Sequence, residues 1–265
     1  MNAVRRLWKW LPVPTSLRLR RRIVGQWIWR ARRARVAAVY RRHEDAEVAR
    51  IRTSLDRVPS ARVVTVIATY RRPEGLRAAV ESALAQGISD HVVCVVDDGG
   101  GLPVLPSDSR LVTFTLSRNF GCLGMVRNVG IRITDSEYLA FLDDDNTWTP
   151  DHLEVSLAAQ QAGADISYTA LHRVHADGST FDVLSVPFDR RTLWMCSYVD
   201  SNALVFRRRP DVLFSRIPKH KEDWALVLRL SRRRRVVHIP VPTVRYLINP
   251  DSHYTDWTMA SRVDA

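Results

Sequence analysis

The sequence predicts an α/β fold in which a mostly parallel central sheet carries helices on its faces. From residue 62 onward, short runs of β-branched residues alternate with helical stretches, a pattern typical of parallel strands joined by crossover helices. Polar clusters follow three of these strands, at residues 69–70, 97–98 and 143–145. Because such sheets bind ligands at the carboxyl ends of their strands, we expect these clusters to form one site.

The α/β elements follow one another in regular order through the first part of this region. Apolar runs bounded by turn signals predict strands at residues 63–68, 91–96, 111–116, 137–142 and 165–169. Helical periodicity predicts helices at residues 74–85, 124–133 and 151–161. The remainder is less regular, with a helix predicted at residues 222–230 and strands at 199–207 and 236–239.

A basic segment, residues 1–60, precedes the α/β region of residues 61–265. The segment contains 16 Lys and Arg against 4 Asp and Glu, whereas residues 61–265 contain 24 of each, so the net charge of +12 arises entirely in the segment. Half of the eight tryptophans also lie there, namely Trp8, Trp10, Trp27 and Trp29. We therefore predict two units, a basic helical extension and a larger α/β domain.

A helix is predicted in the extension from Thr15 or Ser16 towards Arg50. Arginines surround one apolar stripe, formed by Leu19, Ile23, Trp27, Ile28, Ala31, Ala34 and Ala38. Three interpretations remain open: the helix packs on the α/β domain, lies on an anionic membrane surface, where Trp and Arg are favoured, or binds nucleic acid.

The location of the protein follows from what the extension lacks. No stretch has the roughly 18 to 20 apolar residues that a membrane span requires, and no signal peptide is predicted. We expect the protein in the cytoplasm. Under the membrane interpretation, it makes peripheral contact with the inner face of the cell membrane.

Three consecutive aspartates, Asp143, Asp144 and Asp145, follow the apolar run of residues 138–142. Carboxylates this close repel one another and raise each other's pKa values, so they require a cation, hydrogen-bond donors or full solvation. A plain acidic turn is the alternative. Hard oxygen ligands suit Mg²⁺ or Mn²⁺, and the triplet does not separate these two metals.

Four signatures occur in order along the α/β region: Val64-Thr-Val-Ile-Ala-Thr-Tyr-Arg-Arg72, Val95-Val-Asp-Asp-Gly99, Phe141-Leu-Asp-Asp-Asp-Asn146 and Glu222-Asp-Trp224. With them the chain resembles the inverting glycosyltransferases of family 2, from about residue 63 to residue 245. The resemblance implies the GT-A fold, a Rossmann-like sheet that binds nucleotide sugars. It also implies a nucleoside-diphosphate sugar donor, with a UDP- or dTDP-sugar expected, and a glycan or lipid-linked acceptor such as one of the cell envelope.

On the donor side, the resemblance places Thr69, Tyr70 and Arg72 in the loop that lines the base pocket. It assigns Asp98 to the ring nitrogen of the base. Asp97 either contacts the nucleotide or caps the glycine turn that follows it. Tyr70 has the alternative role of covering the end of the sheet.

The segment 121–128 resembles the part of the family that passes close to the donor diphosphate. Gly121 and Gly124 would allow close backbone approach. Arg127 would offset phosphate charge, and a pairing of Arg127 with an acidic residue of the fold is the alternative.

The same resemblance divides the aspartate triplet by role. Asp145 matches the metal ligand of the family. Asp143 or Asp144 would contact the ribose or a water on the metal. The metal would balance the charge that develops on the departing nucleoside diphosphate.

Asp223 is predicted to be the general base. It would take the proton of the acceptor hydroxyl as that oxygen attacks the anomeric carbon, which inverts this centre. Glu222 would orient the loop or contact the acceptor, and Asp200 lies in the segment that shapes the acceptor side in related enzymes. The alternative is that Glu222 and Asp223 only favour the helix start, where acids interact with the helix dipole.

The leading hypothesis is thus a metal-dependent inverting glycosyltransferase with Mg²⁺ or Mn²⁺ as its cofactor. A sugar-phosphate nucleotidyltransferase on a similar fold is one alternative. Those enzymes usually carry a glycine-rich loop with a basic residue after the first strand, and here the segment Thr69-Tyr-Arg-Arg-Pro73 has no glycine until Gly75. A nucleic-acid-binding protein is the other. Because residues 61–265 are balanced in charge, nucleic acid is not the expected partner.

Overall fold

The central strand, β1 (Ser60–Thr69), is buried from Val63 to Thr69, as expected for a strand covered on both faces. The structure is a computed structural model that describes residues 13–218 and 221–248, with the backbone alone described for residues 13–25. Trp8 and Trp10 of the predicted extension lie outside the described residues.

The first half of the sheet is parallel. Strand β1 lies between β2 (His91–Asp97) and β4 (Asp135–Asp143), and β3 (Leu111–Thr115) extends the sheet beyond β2. The register pairs Thr69 with Asp97 and Ala68 with Asp143. The three strands therefore end at the same edge of the sheet, which brings their polar residues together.

The second half of the sheet has mixed directions. Strand β4 pairs with β8 (Leu204–Arg207), which is antiparallel to it and to β6 (Ile166–Val174). Beyond β6 lie β9 (Val236–Leu247) and the short β5 (Thr147–Trp148), and β7 (Thr180–Leu184) pairs with β6 off this path. Of the nine strands within the described ranges, six run in one direction, so the predicted mostly parallel α/β sheet is confirmed.

Helices flank this sheet. The described ones are α1 (Val13–Thr53), α2 (Pro73–Leu84), α3 (Leu123–Ile133), α4 (His152–Gln161), α5 (Arg190–Met195) and α6 (Glu222–Leu230). The predicted helices at 74–85, 124–133, 151–161 and 222–230 are confirmed to within one residue at each end. Short elements such as β5, β7 and α5 were not predicted, because each is too brief to show a period.

Three predicted strands differ from the structure by five or more residues at one end. The strand predicted at 165–169 continues to Val174. The strand predicted at 199–207 begins only at Leu204, since Ser201–Ala203 forms a 3₁₀ turn in which Asp200 caps the N–H of Asn202. The strand predicted at 236–239 continues to Leu247. Its prolines cannot donate to the ladder, and the register against β6 shifts where they occur, between Thr169 and Leu171.

The helix predicted in the basic extension is confirmed as α1, and its two ends have different surroundings. From residue 26 to residue 36 nearly every side chain is exposed, including Trp27 and Trp29. Further along, Glu44, Val48 and Ile51 are buried against the α/β region. The packing interpretation therefore holds for the carboxyl half of α1, and the exposed half remains open to a partner. In the part of the chain that the structure describes, no helix combines the length and apolarity needed to cross a membrane.

Helix α3 begins in close contact with the segment before α6. A Cβ atom on Gly124 would lie 2.1 Å from the main-chain oxygen of Ser215. Side chains in proteins do not approach a backbone this closely, so a glycine is required here by the packing of the fold. This requirement is separate from the phosphate contact that the sequence suggested for Gly124.

We expect Gly124→Ala to lower the free energy of unfolding by about 1 to 3 kcal/mol, because the backbone of Ser215 must shift to admit the methyl group. Gly87→Ala is the matched control, since a Cβ atom there has no neighbour within 4 Å, and its stability should stay within about 0.5 kcal/mol of the wild type. Chemical denaturation measures both. Equal stabilities of the two variants would contradict this account.

Candidate active site

The carboxyl edge of the parallel strands borders a cleft of about 440 Å³, which is within the usual size range for a small-molecule site. The cleft is lined by residues of the three polar clusters and of the segment before α3, among them Thr69, Tyr70, Arg72, Asp98, Asn119, Gly121, Asp143, Asp144 and Asp145. Of the predicted donor-side residues, Asp97 and Arg127 lie next to this lining rather than in it.

Asp143, the last residue of β4, is held by two partners. Arg127 of α3 donates a hydrogen bond from Nη2 to its Oδ1. Asn202 donates from Nδ2 to its Oδ2 at 3.0 Å and accepts the main-chain N–H of Asp143 at 2.6 Å. Arg127 is itself buried and also donates to the hydroxyl of Ser201 at 3.0 Å. Arg127 therefore pairs with an acidic residue of the fold, Asp143, which is the alternative that the sequence left open.

Asp144 and Asp145 both pair with the guanidinium group of Arg72. Nη1 of Arg72 lies 3.1 Å from Oδ1 of Asp144 and 2.6 Å from Oδ2 of Asp145. Asp144 also accepts the hydroxyl of Thr69 at 2.7 Å, and its side chain is only 9 % exposed. Asp145 is 33 % exposed, so it is the more accessible of the two to a ligand.

The electrostatics of Asp145 favour a cation nearby. Burial and the charge of Asp143 raise the pKa of Asp145 to about 6, although Arg72 acts in the opposite direction. Among the described residues, no three His, Cys, Asp or Glu side chains converge on a point where they would enclose a metal. A single accessible carboxylate fits Mg²⁺ or Mn²⁺ whose other ligands are phosphate oxygens and water, which is how such ions are often held beside nucleotides.

The two aspartates after β2 have different partners. Asp97 accepts the N–H groups of Gly100 at 3.0 Å and Gly101 at 2.8 Å, so it caps the glycine turn. Asp98 accepts the N–H groups of Phe120 and Gly121, each at 2.9 Å. Burial raises the pKa of Asp98, and these two hydrogen bonds oppose that effect. The base contact predicted for Asp98 stays a prediction.

The loop after β1 is strained next to the cleft. Arg71 has φ +54°, in the left-handed region that non-glycine residues seldom adopt. Its guanidinium lies 5.1 Å from the ring centre of Tyr70. Tyr70 is 39 % exposed, so its ring remains accessible from the cleft side.

The acidic residues of the predicted acceptor side lie close to Arg127. Glu222, in the first turn of α6, has its Oε1 3.8 Å from Nη1 of Arg127. Burial raises the pKa values of Glu222 and of its neighbour Asp223, and Arg127 opposes both shifts. The structure therefore brings the start of α6 and the end of β4 into one electrostatic cluster around Arg127.

Asp200 is the remaining acidic residue of this cluster. Its Oδ1 accepts both the main-chain N–H and the side-chain amide of Asn202, at 2.8 Å and 2.6 Å. Burial, then the charges of Asp143 and Asp223, raise the pKa of Asp200 to about 7. Asp200 therefore supports Asn202, which in turn holds Asp143.

Sequence reasoning missed Asn202 and Ser201. Both are buried, and both orient groups at the carboxyl end of β4. The only signal was three polar residues that interrupt an apolar run at 200–202. Their partners lie 59 and 74 residues away in the chain, which no local pattern reveals.

The sheet order and the acidic carboxyl edge define the GT-A class of α/β folds. The crystal structure of S. aureus TarS 1-349 in complex with UDP-GlcNAc has the same fold, with a TM-score of 0.56 and 16 % sequence identity over 75 % of this chain and 62 % of that chain. At this level of identity, the likeness establishes the fold alone.

Residues 64–193 match the family model described as Glycosyl transferase family 2. The chain belongs to this family, as the sequence signatures predicted. It is 36 % identical over 160 residues to the succinoglycan biosynthesis protein ExoO of Rhizobium meliloti (strain 1021), a match that covers 57 % of this chain and 45 % of ExoO. It is 26 % identical over 201 residues to the uncharacterized glycosyltransferase YwdF of Bacillus subtilis (strain 168), covering 70 % and 74 %. The chain thus spans less than half of ExoO.

We expect Asp200→Asn to stabilise the protein at pH 8 and to lose this advantage as the pH falls through 7 towards 4. At pH 8 the folded wild type carries a buried carboxylate whose raised pKa makes ionisation costly, at about 1.4 kcal/mol per pKa unit. An asparagine still accepts both hydrogen bonds from Asn202. Thermal unfolding at pH 8 and pH 5 measures the effect, with an increase in Tm of at least about 3 °C expected at pH 8.

A variant with the same change in Tm at both pH values would show that ionisation of Asp200 is not the cause. Asp90→Asn is the control, because Asp90 is exposed and its substitution should leave Tm unchanged at either pH.

Proposed function

We propose that the protein is a metal-dependent inverting glycosyltransferase that moves a sugar from a nucleoside-diphosphate sugar to an acceptor hydroxyl. One observation carries this proposal: a buried arginine, Arg127, pairs both with Asp143 of the acidic triplet beside the cleft and with Glu222 at the start of α6. A donor held against the triplet would therefore present its sugar towards Glu222 and Asp223.

The donor we propose is a UDP- or dTDP-sugar. The cleft is bordered by a hydroxyl at Thr69, an exposed aromatic ring at Tyr70 and a carboxylate at Asp98, which suit hydrogen bonding and stacking with a nucleobase. Support comes from the structural neighbour TarS 1-349, whose crystal structure was determined in complex with UDP-GlcNAc.

Asp145 would hold the metal ion, with Asp143 or Asp144 in contact with the ribose or a metal-bound water. When bound, Mg²⁺ or Mn²⁺ supplies charge stabilisation for the departing diphosphate. Arg72 and Arg127 contribute positive charge on either side of the triplet. The residues of the chain thus orient the leaving group and limit the negative charge around it.

Asp223 would act as the general base. Its raised pKa makes its carboxylate a stronger proton acceptor than an ordinary surface aspartate. The acceptor oxygen would lose its proton to Asp223 while it forms a bond to the anomeric carbon, and the bond from that carbon to the diphosphate would break on the opposite face. Glu222 and Asp200 would shape the acceptor side.

The acceptor we propose is a glycan or lipid-linked sugar of the cell envelope, reached from the cytoplasmic side of the membrane. The relative ExoO is named for succinoglycan biosynthesis. The exposed half of α1 supports membrane contact, because Trp27 is 69 % exposed and Trp29 is 56 % exposed within an arginine-rich stretch. Indole rings and arginines are favoured at anionic lipid surfaces.

We expect Asp223→Asn to lower kcat by at least about 100-fold, because the amide cannot accept the proton. Asp145→Asn should instead raise the Mn²⁺ or Mg²⁺ concentration required for half-maximal activity. Release of nucleoside diphosphate from a panel of sugar nucleotides measures both, with Asp90→Asn as the surface control.

Two results would contradict the mechanism. Asp223→Asn activity within tenfold of the wild type would exclude Asp223 as the base. Wild-type activity that survives metal chelation, together with a normal Asp145→Asn variant, would exclude the metal.

We expect the double variant Trp27→Ala/Trp29→Ala to bind anionic vesicles at least tenfold more weakly than the wild type, because two interfacial anchors are lost. Vesicle sedimentation at low salt, with and without phosphatidylglycerol, measures this binding. Trp194→Ala is the matched control, since Trp194 is 66 % exposed and belongs to a different helix, α5. Unchanged binding of the double variant would refute the membrane contact through Trp27 and Trp29. Equal wild-type binding to neutral vesicles would refute the part assigned to the arginines of α1.

A further inference from the structure

We propose that helix α1 is a positioning element of the donor site, and that Tyr40 and Glu47 hold the segment 117–121 in the shape that binds the nucleotide. We call residues 117–121 the donor loop. The inference rests on the proposed function, because it assumes that the cleft beside this loop receives the nucleotide. It assigns to α1 a role separate from any contact with a membrane.

The donor loop is fixed to the sheet on its inner side. Asp98 accepts the N–H groups of Phe120 and Gly121, while Asn119 and Gly121 line the cleft. Gly99 also lies against the loop, since a Cβ atom there would be 2.4 Å from the carbonyl carbon of Arg118. The position of the loop therefore sets the width of the cleft next to Asp98.

Tyr40 holds the outer side of the loop at its centre. Its hydroxyl donates to the main-chain oxygen of Phe120 at 3.1 Å. One turn further along α1, the ring of His43 lies 5.4 Å from the ring of Phe120, centre to centre. The peptide unit of Phe120 is thus held by Asp98 from one side and by α1 from the other.

Glu47 holds the start of the loop. It accepts the N–H of Ser117 at 3.2 Å and also the Ser117 hydroxyl. Burial opposes the ionisation of Glu47, but the hydrogen bonds from Ser117 and Arg50 outweigh it and lower the pKa. Arg50 in turn donates to the main-chain oxygen of Thr115 at 2.8 Å. An ionised carboxylate is therefore available to orient Ser117 at neutral pH.

Helix α1 is itself anchored at a point that does not involve the loop. Glu44 is fully buried and accepts hydrogen bonds from Arg132, Arg216 and Asn128. These contacts fix the helix to α3 and to the segment before α6. The loop consequently lies between two fixed supports, which reduces the conformational freedom it would lose when a nucleotide binds.

The experiment compares Tyr40→Phe and Glu47→Ala with the control Arg132→Gln. The control weakens the anchor of α1 at Glu44 without touching the donor loop. Donor KM and kcat are measured by nucleoside diphosphate release, the affinities for UDP and dTDP by calorimetry, and Tm by thermal unfolding.

We expect each loop-contacting variant to raise the donor KM and the Kd of the nucleotide by about fivefold, the value of one ordinary hydrogen bond, with kcat within twofold of the wild type. Arg132→Gln should lower Tm and, because it weakens only the anchor of α1 and leaves every contact with the donor loop in place, raise both constants by less than either loop-contacting variant does. Ser117→Ala should reproduce part of the increase in KM and Kd that Glu47→Ala causes. The double variant Glu47→Ala/Ser117→Ala should lose less binding free energy than the two single variants together, because the two residues share one contact.

Three outcomes would overturn the inference, and they are distinguishable from one another. If the wild type binds neither UDP nor dTDP, the proposed function fails and the inference fails with it. If the wild type binds one of them, and Tyr40→Phe and Glu47→Ala bind it as tightly as the wild type does, the proposed function stands and the positioning role of α1 is wrong. If Arg132→Gln loses as much nucleotide affinity as the loop-contacting variants do, their loss of affinity is explained by general destabilisation, and the positioning role is wrong.

Discussion

The crowding of negative charge at the end of β4 is the constraint on which the site depends. Three successive aspartates, with Asp200 and Glu222 nearby, are held in a partly buried place where like charges repel and water is limited. Burying ions is costly unless each is paired or hydrogen-bonded. Arg127 and Arg72 supply the pairing from opposite sides of the triplet, and Asn202 supplies the amide donor.

This constraint also links the two halves of the molecule. Arg127 comes from the parallel half and pairs both with Asp143 of the same half and with Glu222 of the irregular half. Asn202, between the two, is bonded to Asp143 and Asp200. The edge that would hold a donor and the helix that would face an acceptor therefore share one set of charged groups. A substitution at either place changes the electrostatic environment of the other.

The sequence predicted much of the fold and part of the site. Long apolar runs such as that of β1 predict buried strands, and four motifs in order predict residues that meet at one edge. It did not predict that Arg72 pairs with Asp144 and Asp145, or that Gly124 is required by contact with Ser215. These features depend on contacts between residues that are 72 to 91 positions apart, which leave no periodic signal in the chain.

The same reason explains why the sequence left open whether α1 packs on the α/β domain. Its contacts with Phe120, Arg132 and Arg216 are 80, 88 and 172 residues distant in the chain, whereas its arginines and tryptophans are visible at once. Local composition shows which residue types a helix contains. It does not show which of its side chains pack against distant segments of the fold.

The division of α1 into a packed half and an exposed half also has a geometric consequence. With a rise of about 1.5 Å per residue, Trp27 lies roughly 25 Å along the helix axis from Glu44, the first buried residue of α1 among its described side chains. This length limits how far the indole ring of Trp27 can extend from the buried part of the helix. Removing whole turns from the exposed part would shorten that distance in steps of about 5.4 Å.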